Sequence, residues 1–351
     1  MSVDFKAPQI KQKIKGLDGL RGLSVLLVIF SHAEIWPKIG LENSRVLAVL
    51  SAHVGVSVFF ALSGFLITLL LLQERSSTGS VSLRNFFFRR TLRIFPLYYL
   101  SLIILCLIDF LAYANIPNCA FLYAFTYTQN FAPPTCSFSS MSHFWSLAVE
   151  EHFYLIWPTV FLLGTRVAFG FSGLFAIACL TVGPIVTGAM TGVDVWRWTF
   201  PAAAPIAFGC VAAIVVENPV AARLFLNEKV ASSALLFSLV GLLSPAFLTT
   251  DTLWLVSISV LIVFVYYKQN SLFVNFLEFR PLAYLGLISY GLYVWQGVFT
   301  GNGSYRVGES FPPGLDLGVW LTFLVAPISY VFFEQPILKL KRQYSWRQHE
   351  G

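Results

Sequence analysis

The chain is 351 residues long, 57% hydrophobic and 16% aromatic, with only 11% Asp, Glu, Lys and Arg and a net charge of +6. A mean hydropathy of +0.73 and a charged share about half that of ordinary soluble domains exclude a soluble globular protein. Nucleic acid is an unnecessary explanation of the positive charge, because basic residues beside apolar helices contact anionic inner-leaflet lipid.

Met1 to Gly16 is polar and lysine-bearing, and no small-residue cleavage site follows a short apolar core. The first apolar run is therefore expected to stay as a membrane helix. Runs long enough to cross about 30 Å of hydrocarbon lie at roughly 17–36, 54–73, 94–113, 145–164, 168–188, 201–217, 230–249, 252–267, 281–300 and 315–334. The expected fold is all-α: a polytopic integral membrane protein of about ten transmembrane helices, one domain over 1–351 with its core at about 16–340 and short tails.

Basic residues give a separate reading of sidedness. With the N-terminus in the cytoplasm, that side takes Arg21, Arg75, Arg84, Arg89, Arg90, Arg93, Arg166, Arg223, Lys229, Lys268, Arg280, Lys339, Lys341, Arg342 and Arg347. Only Lys38, Arg45, Arg197 and Arg306 remain outside, and both termini are expected to be cytoplasmic.

The first helix, LDGLRGLSVLLVIFSHAE, carries Asp18, Arg21 and His32. Arg21 and His32 are eleven residues apart, which brings them within about 20° of one face and separates them by about 16 Å. Ionisable groups inside hydrocarbon usually face a bundle interior or polar cavity. The competing explanation is a snorkelling arginine with a satisfied interior histidine.

Ser63 and Gly64 fall in the middle of the second run, where a small residue lets another backbone approach, so Gly64 reads as a packing residue. Next comes SLRNFFFRRTLRIFPLYY, whose Arg84, Arg89, Arg90 and Arg93 are interleaved with Phe86, Phe87 and Phe88 just before the third run. Arginine forks match phosphate geometry, and neighbouring aromatics suit an adenine-bearing ligand. The cluster therefore points to a phosphorylated cytoplasmic ligand, with the positive-inside bias of an inner-surface segment as the competing explanation.

The segment 114–142 is expected to be an outer loop. It holds no Lys or Arg, and its Tyr127, Gln129 and Asn130 suit a carbohydrate. Cys119 and Cys136 flank it, and their spacing leaves both a disulfide and free thiols open. The fourth run, SHFWSLAVEEHFYLIWP, places Glu150, Glu151 and His152 about 100° apart in turn, while His143, Glu150 and Tyr154 share one stripe. One carboxylate is expected to face the same cavity as His32. Arg197, between Trp196 and Trp198, reads as an interfacial anchor, and Glu334 as the partner of Lys339 in a surface ion pair.

In order, LDGLRG with His32 eleven residues past its arginine, FFALSGFLI, RRTLRIFPLYY, FWSLAVEEHFY, ISYGLYVW and FFEQP resemble the membrane acyltransferase-3 family over about residues 16–340. That family O-acylates surface polysaccharides, lipopolysaccharide, exopolysaccharide, peptidoglycan and small glycosides. The resemblance implies a ten-helix membrane domain, acyl-CoA, acetyl-CoA by default, as a donor reached from the cytoplasm, and a sugar hydroxyl as acceptor. No metal is expected. It implies catalytic roles for His32 and Glu150 and CoA binding by Arg21, Arg90 and Arg93, with Trp145, Tyr154 and Asn130 as candidate acceptor contacts.

Two positions depart from the family's habit. Ser57 stands in GVSVFF where an acidic residue is common, and Gln296 follows LYVW where a histidine is frequent. The hydrolase-like domain appended in some members is not expected here. The expected location is the bacterial inner membrane, with the lipid bilayer as a further partner. The alternative is a glycoconjugate transporter or flippase with an intramembrane proton relay. A transporter does not need the arginine and aromatic cluster, and no inverted repeat is evident.

Overall fold

The computed structural model describes residues 13–41, 43–111, 113–189, 195–243, 251–301, 311 and 314–340, and no strand occurs among them. Lys341, Arg342, Arg347 and Arg306, which entered the sidedness argument, lie outside the described residues.

Among the described residues helix makes up most of each expected apolar run, and 244–249 of the seventh lie outside them. The first helices are α1 (Leu17–His32), α2 (Ala52–Thr78), α3 (Leu83–Phe110), α4 (Asn118–Phe125), α5 (Phe144–Leu162) and α6 (Thr165–Ala189). Then come α7 (Ala204–Val216), α8 (Pro219–Leu226), α9 (Glu228–Leu243) and α10 (Asp251–Tyr267). The last are α11 (Arg280–Leu287), α12 (Ser289–Thr300) and α13 (Leu315–Ser329), which continues into a π turn at Tyr330–Glu334.

Local sequence sets several ends. Ser51 and Ser82 accept from the backbone N–H of Val54 and Asn85, capping α2 and α3. Gly79, at φ +74°, closes α2 with its N–H on the Arg75 carbonyl. The Ser82 cap corrects the expected start of the third run. Arg84, Arg89, Arg90 and Arg93 lie within the first turns of α3, not ahead of it.

Four described helices are long and apolar enough to cross a membrane: Val46–Thr78, Leu83–Phe110, Thr165–Gly183 and Leu315–Leu340. They become six if two broken pairs each make one span, α7 with α8, bent by 84°, and α11 with α12. Some of the remaining helices are shorter than a single crossing requires. The 16 residues of α1 rise about 24 Å, against about 30 Å of hydrocarbon. Exposed Trp320, Leu324 and Ile328 recur every fourth residue on α13, as do Ile103 and Leu107 on α3. Apolar stripes of this kind suit a lipid environment.

The described residues fall into two compact units. The first takes residues up to Ser31, Trp36–Val81 and Val149–Leu287; the second takes His32–Ile35, Ser82–Ala148 and residues from Ile288 onward.

In the first unit, buried Phe65, Ile262, Val265 and Leu277 anchor one continuous core. Its helices cross backbone to backbone at glycines. A methyl on Gly64 would overlap the Ile206 carbonyl, and one on Gly209 the Ala61 carbonyl, so α2 and α7 touch without side chains between them. Likewise Gly22 of α1 abuts the Leu282 carbonyl, and Gly286 abuts that of Asp18. The glycines of LDGLRG are thus contact points for α11 and the residues just before it. Close approach at small residues is how helices gain packing where lipid supplies no hydrophobic drive.

In the second unit, the Tyr290 hydroxyl donates to the Ile94 carbonyl at 2.6 Å and ties α12 to α3. A methyl on Gly318 would overlap the Phe299 carbonyl where α13 crosses α12. Tyr98 donates to the Ala124 carbonyl at 2.7 Å, and its ring stacks on Tyr127 with centroids 4.1 Å apart. Cys119 and Cys136 form a disulfide, with Cα atoms 5.3 Å apart.

The α2–α7 contact predicts that Gly64→Leu lowers stability by about 1–3 kcal/mol or more, since an overpacked backbone contact must part. The detergent-purified variant should unfold at a lower temperature in a thermal-shift assay. An unchanged midpoint would show that the crossing tolerates a side chain.

Candidate active site

The eight expected site residues divide between the two units, with Arg21, Glu150 and Tyr154 in the first and the other five in the second. On α1, Arg21 Nη1 lies 3.5 Å from Asp18 Oδ1, one turn earlier, and both side chains are mostly shielded. Asp18 also meets Lys13 Nζ at 2.8 Å, and this contact holds the Lys13 ammonium above its ordinary range. Arg21 is therefore one member of a three-residue charge cluster at the entrance to α1.

Glu150 on α5 accepts hydrogen bonds from the hydroxyls of Ser63 and Tyr154. Tyr154 is one helical turn along the same stripe, as the spacing predicted, and it is almost fully buried. Ser63 comes from FFALSGFLI on α2. The carboxylate is thus held by donors from two helices, and hydrogen bonds to a charged group are worth about 1.5–3 kcal/mol each. Tyr154, expected among the acceptor contacts, has its hydroxyl directed to Glu150. Nearby on the chain, His152 Nδ1 is 2.7 Å from Thr199 Oγ1. Arg197 is buried, with its guanidinium 4.9 Å from the centre of the Trp196 ring. The tryptophan contact fits the anchor reading, and the burial goes beyond it.

The second unit holds His32, Arg90, Arg93, Trp145 and Asn130. Continuous α1 carries both Arg21 and His32, so the single-helix geometry read from their spacing holds. His32 is half-buried and lies within electrostatic reach of His143. On α3, Arg90 is half-buried and Arg93 is exposed, one turn apart. Pro96, lacking an N–H, leaves the Leu92 carbonyl without its usual helical donor between them and the rest of α3. Glu334 behaves differently from the expected surface pair with Lys339. It accepts from Ser329 Oγ at 3.3 Å, lies within electrostatic reach of Arg93, and presses on Gly291, where a methyl would meet its carboxylate. Trp145 is half-buried and Asn130 is buried in a 3-10 turn.

Three further residues stand out only in the folded chain. His143 is 5% exposed, and neither ring nitrogen reaches a hydrogen-bond partner among the described residues. Ser140 Oγ and Gln296 Oε1 are buried in the same condition. The stripe shared with Glu150 and the Gln296 departure were the available signals, but only burial shows that these atoms go unanswered.

The acyltransferase domain of the acyltransferase-3 family matches residues 14–334. The peptidoglycan O-acetyltransferase OatA of Listeria monocytogenes is 27% identical, over 94% of this chain and 56% of its own length. The O-acetyltransferase OatA of Staphylococcus aureus is 29% identical, over 93% of this chain and 57% of its own. The chain therefore spans about half the length of the curated relatives it matches. No solved structure matches. The match over residues 14–334 takes in all the candidate residues above, and the chain belongs to the acyltransferase-3 family of acyltransferase domains.

Proposed function

We propose that the protein is a multi-pass membrane O-acetyltransferase that moves an acetyl group from acetyl-CoA to a sugar hydroxyl of a cell-wall polysaccharide. The observation that carries this reading is the family match over residues 14–334, which contains every candidate site residue. The relatives' names favour peptidoglycan as the acceptor class, and nothing comparable favours lipopolysaccharide or exopolysaccharide. The donor is approached from the cytoplasm of a bacterium, where both termini also lie. Support for that orientation comes from the basic residues, and from a disulfide whose cysteines belong in an oxidising compartment.

In this mechanism Arg90 and Arg93 bind the phosphates of CoA, and the thin pantetheine arm carries the thioester inward. His32 accepts the proton of the acceptor hydroxyl as its oxygen attacks the thioester carbon. The C–O ester bond forms, the C–S bond breaks, and the proton returns from the imidazolium to the CoA thiolate. Glu150, which accepts from the hydroxyls of Ser63 and Tyr154, is the acidic residue of this reading. A histidine that takes the acyl group itself would leave an acyl-imidazole, which rapid quenching and mass spectrometry would detect.

Membranes incubated with radiolabelled acetyl-CoA should place label in polysaccharide. Absence of transfer with any short acyl-CoA, together with glycoconjugate uptake, would favour transport instead. His32→Ala should fold and reach the membrane at wild-type level while losing at least about a hundredfold in transfer rate. Near-normal transfer by that variant would remove His32 from the chemistry. Glu150→Gln keeps a group able to accept from both hydroxyls but removes the charge, so kcat should fall with little change in either KM. Arg90→Ala and Arg93→Ala should each raise the KM for acetyl-CoA by about tenfold, the equivalent of one lost charge-assisted contact. Their acceptor KM should stay constant, and a shift there instead would move these arginines away from the donor.

A further inference from the structure

His143 stands at the mouth of α5, and its surroundings fix the ring in place. The Tyr293 hydroxyl donates to the His143 carbonyl at 3.1 Å and shares a 2.5 Å hydrogen bond with Ser146 Oγ. Phe144 packs with its ring centroid 4.1 Å away, and Tyr293 with its centroid 5.8 Å away. On the remaining side the imidazole lies where a side chain on Gly297 would be, and any Cβ there would overlap the ring. Backbone and ring are therefore anchored; the Ser140 backbone carbonyl approaches the ring, yet neither ring nitrogen completes a hydrogen bond of good geometry among the described residues.

Two neighbours share this property. Ser140, three residues before His143 and with its backbone close to the ring, has an unpartnered buried hydroxyl. Gln296 adjoins Gly297 and is fully buried. Its Nε2 donates to Thr300 Oγ1 at 2.6 Å, leaving Oε1 unanswered. Buried polar groups are ordinarily paired, so three from separate elements that are fixed but unsatisfied point to a ligand. The groups are neutral and offer both donors and acceptors, with aromatic rings beside them. That chemistry answers hydroxyls, not phosphate or carboxylate.

We infer that His143, Ser140 and Gln296 form a binding site for a sugar hydroxyl within the second unit, and that this is where the acceptor engages. The inference rests on the proposed O-acetyltransferase function and adds the acceptor's seat to it. His32 belongs to the same unit and lies within electrostatic reach of His143, so a hydroxyl bound there is presented near the proposed base. Gln296, an amide, makes this site one of hydrogen bonding without a second titrating ring.

The test uses the full chain in detergent with chitopentaose, a soluble N-acetylglucosamine oligomer, and measures binding without donor alongside transfer kinetics with acetyl-CoA. His143→Gln and Gln296→Ala should each weaken chitopentaose binding by about tenfold and raise its KM equally, leaving the KM for acetyl-CoA unchanged. If His143→Gln does not fold, Ser140→Ala and Gln296→Ala decide the question. Wild-type binding retained in the folded variants overturns the inference, as does a matching rise in the donor KM. A wild type that transfers acetyl to chitopentaose while the variants bind it normally leaves the proposed function standing and removes this site. A wild type that binds chitopentaose through these residues but transfers nothing does the reverse.

Discussion

A charge placed in an apolar helix must be met by donors or counter-charges, and this requirement organises the polar interior of the protein. An unmet carboxylate in such surroundings would be neutralised or would break the packing around it. Glu150 is met by two hydroxyls, Arg21 by Asp18, and Glu334 by Ser329 and the field of Arg93. These pairings explain why short polar residues recur within otherwise apolar strings. Ser63 and Ser329 each donate to a half-buried carboxyl group, and replacing either by alanine would remove that donor.

Backbone contact at glycine gives those pairings their accuracy. On α2, Gly64 lies against the Ile206 carbonyl while Ser63, about 100° around the same helix, reaches Glu150. Seating one residue on α7 therefore aims its neighbour at α5. The FFALSGFLI string thus combines a packing surface with a hydrogen-bond donor in adjacent positions. A similar division holds in LDGLRG, where Gly19 and Gly22 make close contacts and Asp18 and Arg21 form an ion pair.

Much of this was legible from residue spacing. The apolar runs located the helices, Gly64 read as a packing residue, and the interval of four between Glu150 and Tyr154 implied a shared face. Spacing could not show where a helix breaks. The interruption at Glu217 and Asn218 falls within and just past an unbroken apolar run, and Ser82 moved the start of α3 ahead of the apolar stretch. Nor could it assign Glu334, because the nearest cation along the chain, Lys339, is not the one it faces. His143 was visible as part of a stripe, but its isolation depends on Gly297, more than a hundred residues later. Partners distant in sequence are what a local pattern cannot supply.

The π turn at Tyr330–Glu334 carries one consequence for the end of the chain. A turn that closes from i to i+5 holds one residue more than an α-turn, so everything beyond it is rotated by about 100° relative to an uninterrupted helix. The lipid-facing stripe of Trp320, Leu324 and Ile328 reaches Phe332, 78% exposed, inside the turn, while Glu334 only two residues later is turned toward Gly291. The extra residue works as a phase shift written into the backbone. It lets one helix keep an unbroken hydrocarbon face for most of its length and still deliver a carboxylate to the interior near its end.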